Sequence, residues 1–95
     1  MLRLIDNQRR ICIPKEFFSE ANFKNIPREV SICLGNEKNE FILREKNDTQ
    51  NMKVLYSVGF NNNRFTIPFL DVSYYFPDEI VVLYIKDGEI CFKPL

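Results

Sequence analysis

Apolar and polar positions alternate in short runs along the chain, and the runs come in the same order twice. LRLI (2–5), DNQR (6–9) and RICI (10–13) predict a strand, a turn and a second, partly alternating strand, which is a β-hairpin pattern. Pro14 then stops the strand and suits the first turn of a helix. KEFFSEANF therefore predicts one or two helical turns, with Phe17 and Phe18 facing the core. EVSICL, the turn GNEKN and EFILRE predict another hairpin. VLYSVG, FNNN, RFTI, Pro68, FLDVSYYF, EIVVLYI, KDG and EICFKP repeat the series, with Asp87-Gly88 a strong hairpin turn. The expected unit is β-β-α-β-β, written twice.

Anchoring the copies on Ile13-Pro14 and Ile67-Pro68 lays Arg10 over Arg64 and Ile11 over Phe65. Downstream, Pro27 falls on Pro77, Glu29 on Glu79 and Val30 on Ile80. After one extra residue in the first turn, Glu40 falls on Glu89, Phe41 on Ile90 and Arg44 on Lys93. The charges are less well repeated: Arg3, Asp6, Arg9 and Lys15 face Ser57, Phe60, Asn63 and Phe69. The predicted organisation is one pseudo-two-fold domain over 1–95, with halves at 1–45 and 52–95 and a polar linker at 46–51. A hairpin pair of this size cannot bury its own apolar face. Two interleaved units would make a small closed barrel with no open edge, a physical reason for the second copy.

The segments DNQRRICIPKEF (6–17) and DEIVVLYIKDGEICFKP (78–94) resemble the AbrB/MazE/SpoVT-type swapped-hairpin domain. That family's pattern is an acidic residue, a turn, Gly-Arg, two apolar residues, Ile-Pro, a short helix, and a hairpin ending in polar-Pro. Two units in one chain are similar to the tandem arrangement of the MraZ proteins, whose Asp-x-x-x-Arg motif Asp6 and Arg10 fit. Here Arg9 and Asn63 stand at the family's turn glycine. The resemblance implies a mostly β fold with short helices, a double-psi or swapped-hairpin barrel, in a bacterial cytoplasmic transcription regulator. It also implies binding of double-stranded DNA by a single-chain pseudo-dimer. The residues implied for DNA contact are Arg3, Arg9, Arg10, Lys15, Lys53 and Arg64.

Composition narrows the alternatives. A 45% hydrophobic and 14% aromatic content supplies a single thin core, so self-association is a natural way to bury more surface. Cys12, Cys33 and Cys91 each sit in an apolar run, which fits buried reduced thiols. Histidine is absent, removing the commonest general base and metal ligand, and no enzyme, cofactor or metal site is expected. No long apolar run or signal pattern stands out, so a cytoplasmic location away from membranes is expected. No small-molecule substrate is suggested.

The 13 basic and 13 acidic residues cancel, but not locally. Arg3, Arg9, Arg10 and Lys15 make a basic end, and Asp71, Asp78, Glu79, Asp87 and Glu89 an acidic region. Zero net charge and the partly duplicated basic set keep a second reading open, a protein-interaction module. That module would be an antitoxin-like partner or a relative that pairs with another regulator. Asn61, Asn62 and Asn63 read as a turn, and Tyr56, Tyr74, Tyr75 and Tyr84 as core edge or interface. Phe17, Phe18, Phe23, Phe65, Phe69 and Phe76 read as core or as an oligomer patch.

Overall fold

Each Ile-Pro pair marks the change from strand to helix. Pro14 (φ −57°, ψ 138°) and Pro68 (φ −56°, ψ 144°) end extended segments and cap helices of only 6 and 7 residues. The structure, a computed structural model, describes residues 1–21 and 23–95, the side chains of Phe69 and Leu70 excepted, so the expected core role of Phe69 falls outside it. The elements run β1 (Leu2–Leu4), β2 (Arg10–Cys12), α1 (Lys15–Glu20), β3 (Glu29–Leu34), β4 (Phe41–Glu45), β5 (Val54–Gly59), β6 (Arg64–Thr66), α2 (Phe69–Tyr75), β7 (Ile80–Lys86) and β8 (Glu89–Pro94). The fold is mostly β with two short helices.

The strands form a six-stranded sheet in the order β1-β7-β8-β4-β3-β5 and a separate two-stranded ribbon, β2-β6. Among the named strands of the described residues, only the hairpins β3-β4 and β7-β8 pair within one half of the chain. The ladders β1-β7, β5-β3, β2-β6 and β4-β8 all join the first half to the second. The expected closed barrel is not formed. The short strands β2 and β6 pair with each other, Ile11 opposite Phe65, so the ribbon is a layer of its own and β1 and β5 remain edges.

Ile11 and Phe65 on the ribbon, Ile13 and Ile67 just beyond it, Phe18 on α1, Val72 on α2 and Phe76 at its end pack with the inward residues of the large sheet. Phe92 lies at the middle, its ring centroid 5.3 Å from Phe41, 5.6 Å from Phe65 and 6.2 Å from Phe76.

The faces that turn inward refine the correspondence between the halves. Val30 and Ile32 of β3 answer Val81 and Leu83 of β7, one residue later than superposing Pro27 on Pro77 puts them. Likewise Val58, not Ser57, occupies the register position of Arg3, and Asn61, not Phe60, that of Asp6. For Arg3 and Asp6 the shift comes from the turns that follow β1 and β5. Asp6 and Arg10 enclose three residues, the last of them Arg9 in the left-handed region (φ 61°). Asn61 and Arg64 enclose two, Asn62 and Asn63, both left-handed (φ 53° and 60°). That two-residue geometry suits the right-handed twist of paired strands, and Asn accepts positive φ readily.

Sequence reading passed over one buried charge. Glu40, 1% exposed, accepts hydrogen bonds from the Tyr84 hydroxyl, the Asn36 N–H (3.0 Å) and Lys86 Nζ (3.3 Å to Oε2). A side chain at Gly35 would run into its carboxylate. Burial pushes the Glu40 carboxyl up, but the bonds from Tyr84, Lys86 and the backbone N–H groups outweigh it and leave the group below its ordinary 4.5. A depressed folded value adds stability above the unfolded value, and that stability is lost as pH falls through the folded one. Denaturant midpoints measured from pH 7 down to pH 3 should therefore fall below about pH 4.5. Glu40→Gln should flatten that decline while costing about 1–3 kcal/mol at neutral pH.

Candidate nucleic-acid interface

The ribbon's alternation places its cations. Ile11 and Phe65 are buried (0% and 1% exposed), so their neighbours Arg10, Cys12, Arg64 and Thr66 lie on the opposite, outer face. Cross-strand pairing sets Arg10 beside Thr66 and Arg64 beside Cys12. The two arginines thus stand diagonally across the ribbon, with Cα atoms about 7–8 Å apart.

Interleaving brings the turn of one half beside the helix start of the other. Ile13 N–H donates to the Asn63 carbonyl (2.8 Å), and Ile67 N–H donates to the Arg9 carbonyl (2.8 Å). Lys15, two residues beyond Ile13, therefore lies at the Asn62-Asn63 end, while Arg9 lies at the end where α2 begins. In the linear comparison Arg9 and Lys15 each lack a basic counterpart in the second half. In space one of them serves each end of the ribbon. Six Cα-to-Cα steps separate them, at most about 22 Å.

The two central arginines are held differently. Arg10 Nε donates to Asp6 Oδ2 (2.8 Å), and the backbone N–H groups of Arg10 and Gln8 both donate to Asp6 Oδ1 (2.9 Å each). The Arg10 N–H first, then its guanidinium and the Gln8 N–H, outweigh burial and hold the Asp6 carboxyl below its ordinary value. Arg64 is exposed and makes no ion pair among the described residues. Asn61, at the position corresponding to Asp6, engages Arg64 through backbone hydrogen bonds in both directions.

Of the six residues expected at DNA, Arg10 and Arg64 lie on the ribbon, Arg9 in the turn before β2 and Lys15 at the start of α1 flank its two ends, and Arg3 and Lys53 lie elsewhere. Arg3 pairs with Val81 on the edge strand β1, and its Nε is buried with no hydrogen-bond partner among the described residues. Lys53 precedes β5, at the end away from the Asn61 turn, where its carbonyl accepts the Leu34 N–H (3.0 Å). Sequence spacing could not separate these two from the rest, because it does not show where the β1 and β5 ladders lead.

The three cysteines are unpaired, and burial raises the thiols of Cys33 and Cys91, the latter to about 11. Thiols raised in this way are poor nucleophiles. Among the described residues no helix is long and apolar enough to cross a membrane. No protein-family model matches the chain, and no curated protein or solved structure does.

Proposed function

We propose that this protein is a DNA-binding regulator of the AbrB-like, swapped-hairpin kind, in which one chain supplies both halves of the binding unit. The observation that carries the reading is the ribbon. Arg9, Arg10, Arg64 and Lys15 are gathered along one two-stranded element whose inner face is locked into the core by Ile11 and Phe65. A two-stranded β-ribbon fits the major groove, and arginine can give bidentate contacts to guanine there. Arg9 and Lys15 at the ends reach phosphates on either side of a groove roughly 12 Å wide.

Titration of labelled duplexes by fluorescence anisotropy tests this. Four phosphate or groove contacts imply a loss of affinity on the order of 10²-fold between 50 and 200 mM salt. The double variant Arg10→Ala/Arg64→Ala should remove about half of the logarithmic salt slope, leaving about a tenfold change over that range. Duplex affinity that is the same at both salts and in both proteins would sink the proposal.

One observation favours the second reading, a protein-interaction module. Leu2 and Leu4 are 60% and 74% exposed on the edge strand β1. An open edge carrying apolar side chains is a template for another chain. That reading predicts a solution mass above 11.3 kDa that returns to the single-chain value in Leu4→Lys.

A further inference from the structure

Resting on the DNA reading above, we infer that the ribbon recognises an asymmetric duplex site. The half-site facing the Asp6–Arg10 turn is read base by base, and the half-site facing the Asn62-Asn63 turn is held through its phosphates.

The inference follows from the different support of corresponding groups. Asp6 takes up both the backbone N–H and Nε of Arg10, at 2.9 and 2.8 Å. Among the described residues no ion pair engages the two terminal amino groups of Arg10. A guanidinium fixed at Nε can present those two donors end-on as a preset fork, the geometry that guanine O6 and N7 accept. Preorganisation of this kind turns a contact into discrimination, because a wrong base cannot be met by a small adjustment of the side chain.

At the other end the support is missing. Asn61 offers Arg64 backbone bonds but no carboxylate, and Arg64 is exposed. Lys15, also exposed, presents an ammonium on a flexible stem, a point charge that suits phosphate and carries little base information. A symmetric pair of identical chains would have to present the same groups twice. This chain presents a clamped arginine on one side and an unclamped one on the other.

The test selects duplexes from a random pool with the intact protein and then measures affinity for each single base-pair substitution in the selected site. Asp6 is proposed as a positioning residue, so its variant is followed by base discrimination and by salt slope together. One half-site should lose roughly 5- to 150-fold per substitution at its guanine, and the other should tolerate changes within about threefold. Arg10→Ala should flatten that discrimination. Arg64→Ala should weaken all duplexes alike and lower the salt slope by about one. Asp6→Asn should keep the wild-type salt slope, which also reports a folded ribbon, while losing most discrimination. Arg10→Lys, which keeps charge and length but not the fork, should lose it too. A palindromic site with equal costs in both halves, or equal loss of discrimination in Arg10→Ala and Arg64→Ala, would overturn the asymmetry and leave the DNA reading standing. Absence of any salt-sensitive duplex binding would overturn both.

Discussion

Separated at the linker, the segments 1–45 and 52–95 are each expected to be unfolded as monomers, and mixing them should restore the sheet. Within one half only a single hairpin, β3-β4 or β7-β8, has its ladder. A lone two-stranded hairpin is marginal in water. The other four ladders each need one strand from either half, and the core cluster draws Ile11, Ile32 and Leu43 from one and Phe65, Leu83 and Phe92 from the other. Far-ultraviolet circular dichroism should show little sheet for either peptide and recover in the equimolar mixture, with a complex of one of each on a sizing column. A half that folds only as a dimer of itself would still obey the requirement for two sets of strands. A half that is a cooperative folded monomer would refute the interleaved account of stability.

Phe65→Ala should be the most damaging single core substitution of the ribbon, lowering stability by about 3–5 kcal/mol in urea denaturation. Phe65 is 1% exposed, faces Ile11 across the centre of the ribbon, and packs its ring 5.6 Å from Phe92. Phe92 in turn stacks on Phe41, so the void would open between the two layers, where neither the ribbon nor the sheet can close it alone. Against a total of about 5–15 kcal/mol for a typical domain, much of the folded population would be lost. Phe65→Leu, which leaves a smaller cavity, should retain most of the stability. A loss under about 1 kcal/mol in the alanine variant would mean that the ribbon does not hold the core.

The elements were legible in the sequence because each is announced locally. EVSICL, VLYSVG and EICFKP are strands over the residues expected, and Pro14 and Pro68 stand where strand gives way to helix. Layering was not legible, since whether β2 and β6 extend a barrel or lie across a sheet depends on pairing between distant segments. Register was off by one wherever a turn length decided it: nothing in DNQR against FNNN states that the first encloses three residues and the second two. The four cations on and beside the ribbon could be proposed from their residue types, but their grouping required the interleaved pairing that sets Ile13, just before α1, beside Asn63. Glu40 was hidden for the same reason. Its partners Tyr84 and Lys86 lie 44 and 46 residues away, and its neighbourhood NEKNE looks like a solvated turn.

The β1-β7 ladder has a consequence for how the chain acquires its shape during synthesis. Met1 and Leu83 exchange backbone hydrogen bonds, 2.9 Å in one direction and 2.8 Å in the other, across 82 positions. At translation rates of roughly 5–20 residues per second, β1 waits roughly 4–16 s for the strand that completes it. For that interval the backbone N–H and C=O groups of β1 have no partner strand. The nascent first half is thus an aggregation-exposed intermediate whose final assembly is a late, long-range step, slow for a chain this short.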